Sequence, residues 1–193
     1  MNTKNLPKHP LKFGTEKIEK KLQAHLLVET AKACYVMSRP ILITHALWYY
    51  PAAFFVMHHS LESFTKAFLL KENIGFEYGQ KGHKLIYLLT LGSGNGKKLE
   101  FLKEILEDQM ITDLLNSLDD SYNSNKYWEV GFNTKMDLVD IFDKLVSIFT
   151  EQFHQLYGDK KKGASIDVPE ELADLMERNR KHATTLCILP KAL

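Results

Sequence analysis

Arginine is nearly absent from this 193-residue chain: Arg39, Arg178 and Arg180 are the whole supply within 25 Lys and Arg residues. Planar, bidentate recognition of phosphate favours Arg, so an extended phosphate-reading surface is not expected. Net charge is equally scarce. A formal total of +1 and a pI of about 7.8 provide no overall field for non-specific nucleic-acid binding, which confines any such contact to a local patch. Cysteine occurs only at Cys34 and Cys187, far apart and in no ligand spacing, which points to a reducing cytoplasm and to no metal centre. The N-terminal stretch MNTKNLPKHPLKFG lacks the apolar core of a signal peptide. A clean apolar run is missing too. His45, Pro51, His58, His59, Glu62 and Lys66 interrupt the stretch from Ile41 to Leu70, which therefore falls short of the ~20 apolar residues of a membrane span.

What remains is an ordinary globular composition, 45% hydrophobic and 25% charged, long enough to bury a core without staples. Behind a polar arm at residues 1–14, Thr15 is placed to cap a helix with Ile18, Leu22, Leu26, Ala33 and Val36 on its apolar face. Pro40 should end that helix near Arg39. Pro51 opens a second helix reaching about Lys71. Its core ridge is Phe54, His58, Leu61, Thr65 and Phe68, and the adjacent ridge is Phe55, His59, Glu62 and Lys66. Glu62 stands four residues before Lys66, the favourable order for an ion pair.

A short helix follows at His83 to Leu89, and Gly92 to Gly96 reads as a linker: it follows a helix instead of a strand and lacks the Walker lysine-hydroxyl pair of a phosphate loop. Leu99 to Leu118 marks one further helix. Asn133 or Thr134 is placed to cap another, carrying Leu138, Phe142, Leu145, Phe149, Phe153 and Leu156. Residues 158–168 read as a solvated linker and 169–193 as a short helix and tail. The pattern predicts an all-α fold, a bundle of four or five helices over 15–157 with a C-terminal helical appendage. The supply of large aromatics exceeds what one small core uses, so a homodimer is expected.

Within this pattern, Ala53, Phe55, Glu62, Lys66, Ala67 and Leu69 on a helix, then Gly82, His83, Leu85 and Leu88, form a block similar to that of the HEPN family (higher-eukaryote and prokaryote nucleotide-binding). A second echo is Tyr122 to Trp128, which resembles the Y-x-x-x-R-Y-P segment of HEPN proteins that accompany nucleotidyltransferases. Lys126 replaces the Arg of that pattern and Trp128 its Pro, which weakens a phosphate role there. The resemblance spans about residues 15–157. It implies a HEPN-type bundle that binds a nucleotide, an RNA element or a partner such as a nucleotidyltransferase. The residues themselves leave Glu62 and Lys66 open between an ordinary helix ion pair and a binding groove with His59, His83, Lys126 and Tyr127.

The family's RNA-cutting members carry R-x(4 to 6)-H on a late helix, with Arg on the scissile phosphate and His moving a proton. Arg39 to His45 has that spacing, but Pro40 lies inside it and it precedes the Glu62 helix. Arg178 and His182 sit late in the chain, one residue short of the spacing, and would share a helix face. They are the best catalytic residues for the alternative function, a metal-independent endoribonuclease of toxin or phage-defence type with an antitoxin partner. His58 and His59 point about 100° apart and lack ligand partners at metal spacing, so His58 reads as core and His59 as flank. Trp48, Tyr49, Tyr50 and Trp128 are more readily core or interface than base-stacking residues. No cofactor motif is present.

Overall fold

The structure, a computed structural model, describes residues 20–43, 50–77, 79–95, 97–123 and 137–158. These form helices α1 (Lys20–Ile43), α2 (Tyr50–Lys71), α3 (Leu85–Asn95), α4 (Phe101–Glu107), α5 (Gln109–Asn123) and α6 (Asp137–Tyr157), with a 3-10 turn, Gln80–His83, ahead of α3. Among the described residues there is no strand, and no helix is long and apolar enough to cross a membrane.

α1 and α2 pack antiparallel. The Ser60 hydroxyl donates to the Ala31 carbonyl at 2.8 Å, and Lys71 meets His25 at 3.1 Å. That register sets Ala24 level with Ala67, Ala31 with Ser60, and Ser38 with Ala53, all fully buried. Small residues at every seventh position let the two backbones approach closely, which is why they, and not the leucines, face inward. The apolar face expected for the first helix is thereby corrected in part: Val36 is buried as expected and Ile18 lies outside the described residues, but Leu22, Leu26 and Ala33 are exposed, and the buried stripe is Ala24, Val28, Ala31 and Tyr35.

α6 completes the main layer, antiparallel to α1 and parallel to α2. Its Phe149 ring packs on Phe64 at 5.7 Å and its Phe153 ring on Phe68 at 5.4 Å, edge-on or tilted geometries favoured by the ring quadrupoles. At the other end of α6, Asp143 accepts from Arg39 Nε at 2.7 Å and from the Tyr35 hydroxyl at 3.0 Å, with both ion-pair side chains fully buried. This anchor explains a second correction. α1 does not stop at Arg39 but runs through Pro40 to Ile43, because the bonds to Asp143 hold Arg39 helical against the steric bias of a pre-proline position.

α3, α4 and α5 cover the far side of α2. Gly92, expected in a linker, lies inside α3, where a Cβ would stand 2.6 Å from Leu102 Cδ1 and 3.3 Å from Leu69 Cδ2. Its glycine serves close packing of α3 on its neighbours. The single helix expected over Leu99–Leu118 is two. Asp108 is extended and its carboxylate accepts from the Met110 and Ile111 amides at 3.0 and 3.3 Å, so it caps α5 and breaks the run. α2 ends on Asn73 in the left-handed region (φ 56), the conformation Asn tolerates after a helix. The arm at 1–14, the linker at 158–168 beyond Gly158, the C-terminal helix and the caps at Asn133 or Thr134 lie outside the described residues.

Candidate functional site

The outer ridge of α2 carries His59, Glu62 and Lys66 one turn apart, while His58 on the neighbouring ridge points into the core. Lys66 Nζ donates to Glu62 Oε1 at 2.5 Å, and His83 Nδ1 lies 3.0 Å from the same oxygen. Glu62 Oε2 faces His58 Nδ1 at 3.6 Å and His59 Nδ1 at 4.0 Å, ion-pair separations longer than good hydrogen bonds. Three nitrogen-bearing side chains with a solvent-facing edge thus gather on one carboxylate that is itself buried. Side-chain exposure is 46% for His59, 37% for His83 and 16% for Lys66, against 5% for Glu62.

His83 reaches Glu62 because of a tight turn. Gly79 has φ +83, the Gly82 amide donates to the Gly79 carbonyl at 2.9 Å, and a Cβ on Gly82 would sit 1.9 Å from the Glu77 carbonyl oxygen. Only glycine fits there. Gly82→Ala is therefore expected to cost roughly 2 kcal/mol or more and to draw His83 away from Glu62. Thermal unfolding measures the first effect and the imidazole resonances of His83 the second; an unchanged turn in both would refute the packing account.

Behind the exposed edge the polar chain continues inward. His58 Nε2 lies 3.1 Å from Asp119 Oδ1 on α5, and Asp119 accepts from the backbone amides of Leu85 at 2.7 Å and Ile86 at 3.3 Å. Asp119 therefore caps α3 from a distant helix and sets its carboxylate at the positive end of the helix dipole. The result is one connected system: Lys66 and His83, Glu62, His58, Asp119, and the start of α3. Burial alone would raise the Glu62 carboxyl, but His59 and Lys66, with His83 nearby, overcome this and bring it down to about 2. Glu62 is ionised at any physiological pH.

Of the groove residues expected from sequence, the fold brings together His59, Glu62, Lys66 and His83; Lys126 and Tyr127 lie outside the described residues. So do Arg178, His182 and His45, and the side chains of Trp48, Tyr49, Tyr50 and Trp128. Arg39 is fully buried on Asp143, which removes it as a contact for a substrate phosphate. His58 is a core histidine, as its ridge predicts, but one joined to the site through Glu62 and Asp119. Asp119 is the residue missed in the sequence. Its only signal is an acid directly after Leu118, where the apolar rhythm of α5 ends. Among the described residues no group of three or more His, Cys, Asp or Glu is arranged to hold a metal ion.

The cluster presents two imidazoles flanking a lysine–glutamate pair: an edge able to donate hydrogen bonds and to accept one at an unprotonated ring nitrogen. Compared with known proteins, the chain matches no family model, no curated protein and no solved structure.

Proposed function

We propose that this chain is a HEPN-like helical interaction module, homodimeric, that binds a nucleotide, an RNA element or a partner protein such as a nucleotidyltransferase through the edge formed by His59, Lys66 and His83. The observation that carries the reading is the gathering of those side chains on the buried carboxylate of Glu62. Glu62, Lys66 and His83 belong to the block that resembles the family and His59 lies one turn before Glu62, and an edge of this size suits a local contact in a chain of nearly zero net charge. Glu62 acts as the internal counter-ion that orients Lys66 and His83 before a ligand arrives, which lowers the ordering cost of binding.

Fluorescence polarisation with a labelled adenine nucleotide, single-stranded RNA and hairpin RNA tests this. At least one probe should bind saturably and lose about tenfold or more in affinity in His59→Ala and Lys66→Ala, about 1.4 kcal/mol. Binding unaffected by either variant would move the site elsewhere. No binding by any probe would leave only the protein-partner form of the reading. The same RNAs in EDTA should stay intact. Cleavage that disappears in Arg178→Ala and His182→Ala chains would instead make the protein a metal-independent endoribonuclease.

A further inference from the structure

α1 is apolar on two opposite faces. One is the buried stripe against α2 and α6. The other, about half a turn away, carries Leu22, Leu26, Ala33 and Met37, with Leu22 53%, Leu26 49% and Met37 61% exposed. An amphipathic helix needs only one such stripe, and these are three of the few large apolar side chains left in solvent among the described residues.

The order of residues on this outer stripe is symmetric about a point between Glu29 and Thr30. We infer that α1 pairs antiparallel with α1 of a second copy of this chain, about a two-fold axis through that point. An isologous contact requires that residue i meet residue j while j meets i. The stripe satisfies this at every level: Leu22 faces the partner's Met37, Leu26 faces the partner's Ala33, and Glu29 faces the partner's Thr30. Each large side chain at the inner level meets a small one, so Leu26 fills the space above the partner's Ala33 and the axes can approach closely. At the axis itself polar groups meet: Glu29, which accepts from Lys32 of its own helix at 2.9 Å, faces the partner's Thr30, whose hydroxyl donates to its own Leu26 carbonyl at 2.9 Å, so no apolar side chain is set against the charge. A parallel pairing of the stripe would instead set Glu29 against the partner's Glu29, two like charges at one level, which the antiparallel arrangement avoids.

The stripe from Leu22 to Met37 is about 22 Å long at 1.5 Å per residue. One helix pair of that length buries less than the ~800 Å² per partner of a standard interface, so dissociation in the micromolar range is expected. The inference names the surface behind the homodimer of the proposed function and rests on that part of the reading; it is independent of what His59, Lys66 and His83 bind.

Sedimentation velocity across micromolar concentrations, with thermal unfolding alongside, tests it. The wild-type chain should form a dimer. Leu26→Glu should be monomeric over the same range with an unchanged unfolding temperature when both are dilute, because Leu26 is half exposed in the single chain. Adding Ala33→Arg to Leu26→Glu should restore the dimer: positions 26 and 33 are two turns apart within one helix but opposite each other across the axis. In a chain whose Cys34 and Cys187 are replaced by Ser, Thr30→Cys should cross-link to a covalent dimer under copper phenanthroline, and Glu104→Cys on α4 should not. A dimer that survives Leu26→Glu and resists cross-linking at Thr30 would overturn this face while leaving the homodimer intact. A monomeric wild type would overturn both. A monomer that Leu26→Glu destabilises would show instead that another segment of the same chain covers the stripe, and would likewise overturn the inference.

Discussion

Asp143→Ala is expected to be the most damaging single substitution in the described core, lowering stability by about 3–5 kcal/mol. Arg39 and Asp143 are both fully buried, and the carboxylate also accepts the Tyr35 hydroxyl. Burial pushes the Asp143 carboxyl up against the opposing pull of Arg39 and Tyr35, and the guanidinium held on both its oxygens favours the ionised pair. Removing the carboxylate strands a guanidinium that cannot lose its proton, and Arg39 Nη1 already has no hydrogen-bond partner among the described residues. For a chain of this size the midpoint of thermal unfolding should fall by roughly 10 °C or more. The paired substitution Arg39→Leu with Asp143→Leu separates charge from packing. It should recover much of the loss, because apolar side chains can replace a buried ion pair at little cost. If the double variant is as unstable as Asp143→Ala, the anchor works through shape and not through charge. The loss should also be felt at the Pro40 end of α1, where hydrogen exchange should rise first.

Glu62→Gln is the second large effect, and its signature is its dependence on pH. Glu62 sits at about 2 in the folded chain against an ordinary 4.5, so the folded state holds the ionised form more firmly. A depressed carboxyl contributes stability that is complete above the unfolded value and is lost as pH falls through the folded one. The shift corresponds to roughly 3 kcal/mol at 1.36 kcal/mol per pKa unit. Wild type should therefore exceed Glu62→Gln by about that amount at pH 7, with the gap closing between about pH 4.5 and pH 2. Chemical denaturation of both chains at several pH values measures it. A gap that does not vary with pH would mean that Glu62 contributes by hydrogen bonding and volume alone. Because Lys66 and His83 share one oxygen of Glu62, the same variant should loosen both, and ligand affinity should fall with stability.

The helical class, the second helix with its core ridge, the outward placement of His59 and the Glu62–Lys66 pair were all legible in the sequence. Each is a local statement: a 3.6-residue period, an i to i+4 spacing, a proline in a first turn. The Gly82-His83 pair was legible as a motif, although not the reason for it, since the Glu77 carbonyl that excludes a Cβ comes from the preceding loop. Readings that failed did so where a distant partner decides. Pro40 is a sound stop signal until Arg39 is locked by a residue 104 positions away. Gly92 to Gly96 looks like a linker until Leu102 and Leu69 press on Gly92. Leu22 and Leu26 look like core because they are large, and only the close approach of α1 to α2 reserves the inner face for Ala24, Ala31 and their small partners.

The sequence by itself determined that this protein is a helical bundle and which ridge of α2 bears polar groups, because both follow from periodicity along a single segment. Tertiary structure alone decided that Glu62 is buried, that His83 shares its oxygen with Lys66, and that His58 and Asp119 tie the cluster to the start of α3. Those contacts join positions 21, 61 and 34 residues apart, and a buried carboxylate is held ionised only when all its donors arrive together. No single segment carries the information for that convergence; it exists only in the packing of α2 against α3 and α5.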